Sequence, residues 1–91
     1  MKVKLFANFR EICGDKTVHL PLDQPQPVVN LLEALIEKYP PMEEELFTPD
    51  KELKPLVHVF INGKNIVHHQ GLQTIVHPSD EISLFPPVAG G

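Results

Sequence analysis

One long stretch of this chain has helical periodicity, and prolines bound it at both ends. Its apolar side chains recur at intervals of three and four residues, as in an amphipathic helix: Val28, Leu31, Leu32, Leu35 and Tyr39. Pro27 suits the first helical turn, where its missing N–H costs nothing, and Pro40-Pro41 stops the helix. The sequence therefore predicts one main helix over residues 28–39.

Other segments have the alternation or the β-branched content of half-buried strands: residues 1–9, 17–20, 56–61 and 81–85. Residues 10–16 contain Gly14-Asp15 and predict the loop of a hairpin between the first two strands. Asn62-Gly63 predicts a second hairpin, with a short return strand at residues 65–68. The predicted order is ββαββ.

Residues 41–55 follow the main helix. Pro41 and the acidic run after it predict a short helical turn at residues 42–47, because carboxylates are favoured near the N-terminus of a helix. Residues 48–55 are rich in Pro, Asp and Lys and predict a surface loop.

One helix and four or five strands can bury their apolar faces only if the helix lies across one side of a mixed sheet. A right-handed crossover between the second and third strands then places the first and last strands side by side in the middle. We therefore predict an α+β roll of the β-grasp, or ubiquitin-like, type with a four- to five-stranded sheet. The length allows one domain, at residues 1–85, with an extended, flexible tail at residues 86–91.

The charge balance restricts the partners of the chain. Twelve acidic residues outnumber eight lysines and arginines, for a formal charge of -4, which argues against binding to nucleic acid or to an anionic membrane. A basic groove on another protein would suit it better. We see no signal peptide and no apolar run long enough to span a bilayer, so we expect a soluble, cytoplasmic protein.

Metal or thiol chemistry is not expected from the side chains. Cys13 is the single cysteine, which excludes an internal disulfide, and we predict a small, semi-buried thiol in the first hairpin loop. No two of the histidines have the helical spacing of a metalloprotease motif, so we predict no metal site: His19, His58, His68, His69 and His77.

The chain ends in a segment that carries one reactive group. After Phe85 come Pro86, Pro87, Val88, Ala89, Gly90 and Gly91, and the carboxylate of Gly91 is the only group in this tail that can do chemistry. Glycines lack a Cβ atom, so such a tail can thread a narrow channel. The prolines preset φ, and we predict that they hold the tail extended away from the domain.

This end resembles a known family. Residues 80–91 look like the end of the MoaD/ThiS family of ubiquitin-like sulfur carriers, and Pro86-Pro87-Val88-Ala89 favours the branch of the molybdopterin synthase small subunits. Residues 3–11 and 29–40 are similar to the first strand and the helix of that family. Residues 41–55 are longer than the family pattern, and His68-His69-Gln70 departs from it.

The resemblance implies a role for Gly91. An E1-like activating enzyme would adenylate the Gly91 carboxylate with ATP, and a sulfur donor protein would supply the sulfur for a thiocarboxylate. The tail would then enter the large subunit of molybdopterin synthase and donate sulfur to a pyranopterin precursor, without any cofactor bound to this chain. The alternatives are a carrier for thiamine or tRNA thiolation, a protein modifier conjugated to lysines through Gly91, and an adaptor with an inert tail.

Strand alternation predicts where a partner would bind. Phe6, Phe60 and Phe85 each fall on the face opposite the apolar residues of their strands, which is the side of the sheet that the helix leaves uncovered. An exposed aromatic patch beside the tail is a hypothesis for a partner interface. In the alternative, residues 41–55 cover one or more of the three rings.

Overall fold

The computed structural model describes residues 1–87 of the chain. Its strands and helices, in chain order, are β1 (Lys2–Leu5), α1 (Asn8–Cys13), β2 (Thr17–His19), β3 (Gln26–Pro27), α2 (Val28–Lys38), α3 (Met42–Leu46), β4 (His58–Ile61), β5 (Lys64–Asn65), β6 (Ile75–Val76) and β7 (Ile82–Phe85). Two 3-10 helices, Ile66–His68 and Gly71–Gln73, connect β5 to β6. The tail residues Val88, Ala89, Gly90 and Gly91 lie outside the described part.

Five strands form a mixed sheet in the order β2-β1-β7-β4-β5. β1 and β7 are parallel neighbours in its centre, with Leu5 beside Leu84, and the other neighbouring pairs are antiparallel. β3 and β6 form a separate two-stranded ribbon. This is the predicted β-grasp roll, and the central position of the first and last strands is confirmed.

The main helix α2 forms as predicted, between Pro27 and Tyr39. Four of its aliphatic side chains are fully buried and belong to the same core cluster as the inward residues of β1, β4 and β7: Val28, Leu31, Leu32 and Leu35. Burial of each such side chain contributes about 1.5–3 kcal/mol, so this face of the helix supplies much of the core of a small domain. α2 does not cover the opposite face of the sheet.

The predicted antiparallel pairing of the first two strands is confirmed, but the connection between them was predicted wrongly, because β1 ends at Leu5 and residues 8–13 form a helix. Ala7 has φ 51°, which turns the chain out of β1 and into α1. Phe9 and Cys13, four residues apart on one helical face, are both buried, and Gly14 at φ 74° ends the helix. The burial of this apolar pair favours a helix over an extended strand.

Cys13 consequently occupies a more protected place than predicted. Its side chain is buried on α1, and burial raises the pKa of the thiol, an effect that Lys38 partly opposes. A protonated, buried thiol is a poor nucleophile. Cys13 is therefore part of the core.

The second hairpin is confirmed, but its return strand is shorter than predicted. Asn62 and Gly63 both have positive φ, 52° and 83°, as a tight hairpin turn requires. The pairing ends at Asn65, whose side-chain oxygen accepts a hydrogen bond from the Val67 amide at 3.1 Å. This cap starts the 3-10 helix at residues 66–68, where a continued strand was predicted.

The predicted short helix and surface loop of residues 41–55 are both present. α3 buries Met42 and Leu46, which belong to the same core cluster as α2. Phe47 then pairs with Leu53 in an isolated β-bridge, which closes the loop between them. Within residues 1–87 each helix is too short or too polar to cross a lipid bilayer.

Candidate functional site

Three aromatic rings pack together on the outer face of the sheet. Phe6 and Phe85 are stacked, with centroids 4.3 Å apart and ring planes 12° apart. Phe60 meets Phe85 edge-on, at 5.3 Å and 84°. All three rings are half-buried. The structure thus brings together the three residues that alternation placed on one face, while their role as an interface stays a prediction.

The register of the central strands determines this cluster. The parallel pairing of Leu5 with Leu84 places the next residues, Phe6 and Phe85, side by side. In the antiparallel pair of β4 and β7, Phe60 lies opposite Ser83 and therefore diagonal to Phe85. Diagonal neighbours on one face are within reach of aromatic rings.

The rings form one wall of a depression that we call the aromatic groove, with a volume of about 540 Å³. Its lining consists of Phe6, Ala7, His58, Phe60, Gly63, Glu81, Ser83, Phe85 and Pro86. Three of these lining residues, Ala7, Gly63 and Ser83, have small side chains and leave open space beside the rings. No residue of the segment 41–55 lines the groove, so the alternative in which that segment covers the rings is not observed in the described chain.

The root of the tail is part of this groove. Pro86 is buried and lines it, whereas Pro87 is exposed. The prediction that both prolines extend away from the domain is therefore corrected for Pro86, which packs against the sheet. The boundary between the domain and the tail, after residue 85, stays a prediction. The same holds for the residues expected to thread a partner's channel: Pro86, Pro87, Val88, Ala89 and Gly90. Gly91, the predicted reactive residue, is outside the described chain.

Charged and polar side chains surround the groove, and sequence reasoning did not identify them as site residues. The Arg10 guanidinium carbon lies 5.6 Å from the centroid of Phe6, and Arg10 Nε donates to the Leu5 carbonyl at 3.3 Å. Lys4 pairs with Glu81 at 3.2 Å, but both side chains are more than half exposed, so the pair adds little stability. Arg10 could not be placed because α1 was not predicted.

A hydrogen-bond network around Asp80 fastens one end of the groove. The Asn62 side-chain amide donates to Asp80 Oδ1 at 2.9 Å, and the Glu81 amide donates to Asn62 Oδ1 at 2.9 Å. Asp80 Oδ2 accepts from the His77 amide at 2.8 Å. Burial alone would raise the pKa of Asp80, but these bonds outweigh it and lower the pKa below its ordinary value. The network joins the β4–β5 hairpin to the start of β7.

Replacing this carboxylate is expected to make stability less dependent on pH. Because the pKa of Asp80 is lower in the folded chain, its contribution is complete above the unfolded pKa of about 4 and is lost as the pH falls through the folded value. Asp80→Asn should cost about 1 kcal/mol at neutral pH and nearly nothing at strongly acidic pH. Urea unfolding at both pH values measures this.

Asp50→Asn is the matched control, because Asp50 is an exposed residue of the surface loop. It should change the free energy of unfolding by less than about 0.5 kcal/mol at either pH. An equal loss in Asp80→Asn at neutral and acidic pH would contradict the assignment.

Metal ligation finds no support in the described residues. Residues 1–87 contain no group of three histidine, cysteine, aspartate or glutamate side chains placed to hold one ion. The groove is mainly apolar and aromatic, which suits contact with another protein's surface.

Known proteins resemble the chain over its whole length. A model of the ThiS family matches residues 3–91. Small archaeal modifier protein 3 of Haloferax volcanii is 37% identical over 91 residues, covering 100% of this chain and 98% of that protein. A molybdopterin synthase sulfur carrier subunit of Dictyostelium discoideum is 32% identical over 92 residues, covering 99% and 94%.

A solved structure agrees with the fold. The crystal structure of SAMP1 from Haloferax volcanii superposes with a TM-score of 0.88 at 36% identity, covering 100% of this chain and 98% of that one. The resemblance noted from residues 3–11, 29–40 and 80–91 is thereby confirmed at the level of the family. The chain belongs to the ThiS family of ubiquitin-like sulfur carriers.

Proposed function

We propose that this sulfur carrier is the small subunit of a molybdopterin synthase, and that its Gly91 thiocarboxylate donates sulfur to a pyranopterin precursor in the large subunit. The observation that carries the proposal is the aromatic groove at the root of the tail, which offers an apolar docking surface beside the segment that would enter the partner. The Dictyostelium relative, which is named as such a subunit, supports the same assignment.

The terminal carboxylate needs activation before it can carry sulfur. Its reference pKa is about 3.3–3.7, so at neutral pH it is ionised and a poor electrophile. In the proposed sequence it attacks the α-phosphate of ATP on an E1-like activating enzyme, and pyrophosphate leaves. The outer sulfur of a persulfide on the donor protein then attacks the acyl adenylate, and AMP leaves. A thiol of the partner proteins attacks the inner sulfur of the resulting acyl disulfide, which forms a protein disulfide and releases the thiocarboxylate. ATP is thus used by the partner enzyme, and this chain needs no cofactor of its own.

Docking of the domain would offset the cost of ordering the tail. Fixing the backbone of one residue costs about 1–2 kcal/mol, so residues 87–91 could cost on the order of 5–10 kcal/mol if all were free before binding. Pro86 is already packed in the groove and adds nothing to that sum. Burial of Phe6, Phe60 and Phe85 against a partner supplies a favourable term, since aromatic residues dominate the energetics of interfaces.

A second candidate is a protein modifier that forms an isopeptide bond between Gly91 and lysines of other proteins. The relative from Haloferax volcanii, 37% identical over the full length, is named a modifier protein and favours this candidate. Both functions begin with adenylation of the same carboxylate and differ in the nucleophile that follows.

The test is to incubate the chain with ATP, the activating enzyme and sulfur donor of its own cell, the large subunit and a pyranopterin precursor. Intact mass should show one oxygen replaced by sulfur, and the large subunit should copurify with the chain and convert the pterin. No mass change with all components active would refute the carrier chemistry. Sulfur loading without pterin conversion would point to thiamine or tRNA thiolation, and lysine-linked adducts in extract to the modifier. Fractionation of cells tests the proposed cytoplasmic location.

A further inference from the structure

The outer edge of β2 is unpaired, and the proposed sulfur transfer gives it no role. β2 is the end strand of the sheet, and within the described residues it pairs with β1 alone. The residues that flank β2 show which backbone groups face β1. The Leu5 amide donates to the Lys16 carbonyl at 2.8 Å, and the Leu20 amide donates to the carbonyl of residue 1 at 2.7 Å. Lys16 and Leu20 therefore face β1, and so does Val18 between them.

The backbone groups of Thr17 and His19 consequently point away from the sheet, because they alternate with the three inward residues. Lys38, the last residue of α2, agrees with this direction, since its Nζ lies 3.5 Å from the His19 carbonyl oxygen. Within residues 1–87, neither the Thr17 nor the His19 amide donates a backbone hydrogen bond outside the β1–β2 pair. A strand edge with two unpaired N–H groups is a template for a further strand.

Positive charge surrounds this edge, although the whole chain carries a formal charge of -4. Lys16 is exposed at the start of β2, and Lys38 lies beside His19 at its end. Lys2 is exposed as well and lies next to His19 in the pairing of β1 with β2. The carboxylate nearest to β2 along the chain, Asp15, accepts from the Lys16 amide at 2.7 Å and is thereby held in the turn before the strand. An approaching segment meets three ammonium groups and one carboxylate.

These charges decide which kind of segment fits the edge. A second copy of the chain is a poor occupant, because pairing β2 with itself would bring the same lysines together, and edge lysines prevent such self-association. A segment rich in Asp and Glu would neutralise the lysines while its backbone pairs with the outward groups.

We propose that β2 accepts an extended, acidic segment of a partner protein as a sixth strand of the sheet. Backbone hydrogen bonds to Thr17 and His19 would hold the segment, and its carboxylates would face Lys2, Lys16 and Lys38. The inference goes beyond the proposed function, because β1 separates this edge from β7 and the root of the tail.

The test uses the full chain, labelled with nitrogen-15, and three synthetic peptides of equal length. The first alternates Asp and Glu with Val, and the second has Lys in place of the acids. The third is the acidic peptide with every backbone amide methylated, which removes its donors and obstructs pairing. Only the first should give saturable shifts at residues 16–20. It should also slow hydrogen exchange of the Thr17 and His19 amides about tenfold at ten times the dissociation constant.

Thr17→Pro tests the backbone contact directly. Proline is tolerated as the first residue of a strand and at an outward N–H of an edge, so the pairing with β1 should persist. The variant lacks one outward donor and should bind the acidic peptide about tenfold more weakly, a loss of about 1.4 kcal/mol. Urea unfolding shows whether the domain persists.

A second set of variants tests the charges without touching the backbone of β2. Lys16→Gln with Lys38→Gln should weaken the acidic peptide about three- to tenfold, as expected for two exposed charges. Lys64→Gln is the matched control, because Lys64 is an exposed lysine of β5, at the opposite edge of the sheet. It should leave binding unchanged.

Equal binding of the basic or the methylated peptide, no saturable binding, or unchanged binding in both Thr17→Pro and the lysine pair would overturn the proposal. A dimer of the chain alone, in which the Thr17 and His19 amides are protected until dilution, would overturn it in favour of a second copy. The peptide experiment needs neither ATP nor Gly91. Sulfur loading without peptide binding would therefore reject the sixth strand alone, and peptide binding without sulfur loading would reject the proposed function alone.

Discussion

A chain that lacks Gly91 is expected to acquire no sulfur at all, although it folds and binds its partners as before. The deletion shortens the tail by one residue, so the carboxylate of Gly90 stops short of the position where adenylation takes place. The domain itself is untouched, because every residue of the core cluster lies between Val3 and Leu84. Intact mass after incubation with ATP, activating enzyme and sulfur donor measures the loss, and urea unfolding shows that the domain persists.

Gly91→Ala is the matched variant, because it keeps a terminal carboxylate at the same position and adds only a Cβ atom. Crowding of that atom in a narrow channel should cost about 1–3 kcal/mol, so the rate of sulfur loading should fall but remain measurable. If the shortened chain still gains sulfur at its new terminus, the activating enzyme does not require the carboxylate at the position of Gly91. This prediction would then be wrong.

Phe85→Ala should weaken binding to the large subunit by more than about 30-fold, the effect of losing an interface residue worth about 2 kcal/mol. Phe85 is the centre of the cluster, since it stacks on Phe6 and meets the edge of Phe60. The alanine substitution removes an apolar anchor and loosens the packing of Phe6 and Phe60. Phe85 also lies next to Pro86, at the root of the tail. Isothermal titration calorimetry with the large subunit measures the change in affinity.

Two controls separate binding from stability. Phe85→Ala also removes two aromatic contacts within the domain, each worth about 0.5–1.5 kcal/mol, so unfolding must be measured alongside. Phe85→Leu keeps apolar contact but no ring, and its affinity should lie between those of the alanine variant and the parent. Ile75→Ala, on the exposed side of β6, should change affinity less than about twofold. An alanine variant at Phe85 that binds normally would exclude the aromatic groove from the interface.

Local pattern was sufficient for the elements that are long or marked by strong signals. α2 was predicted because its apolar positions have helical spacing and prolines bound it, and the Asn62-Gly63 turn was predicted because few other residues adopt its φ angles. The sequence pattern did not predict α1, because the alternation of β1 continues past the end of that strand at Leu5. The spacing of Phe9, Ile12 and Cys13 at three and four residues was the signal that could have identified it.

The candidate site was predictable as a set of residues but not as a geometry. Alternation placed Phe6, Phe60 and Phe85 on one face, and it also placed His58 and Ser83 there. The burial of Pro86 and the position of Arg10 over Phe6 could not be predicted, because both depend on where the chain goes after a strand ends.

The sequence by itself determined the main helix and the faces of the strands, and it points to Gly91 as the candidate reactive residue, because each depends on local periodicity or on the identity of one residue. Only the tertiary structure decided that Phe6 stacks on Phe85 and that Pro86 packs into the groove. Those contacts join residues far apart in the chain, and the parallel register of β1 and β7 brings them together.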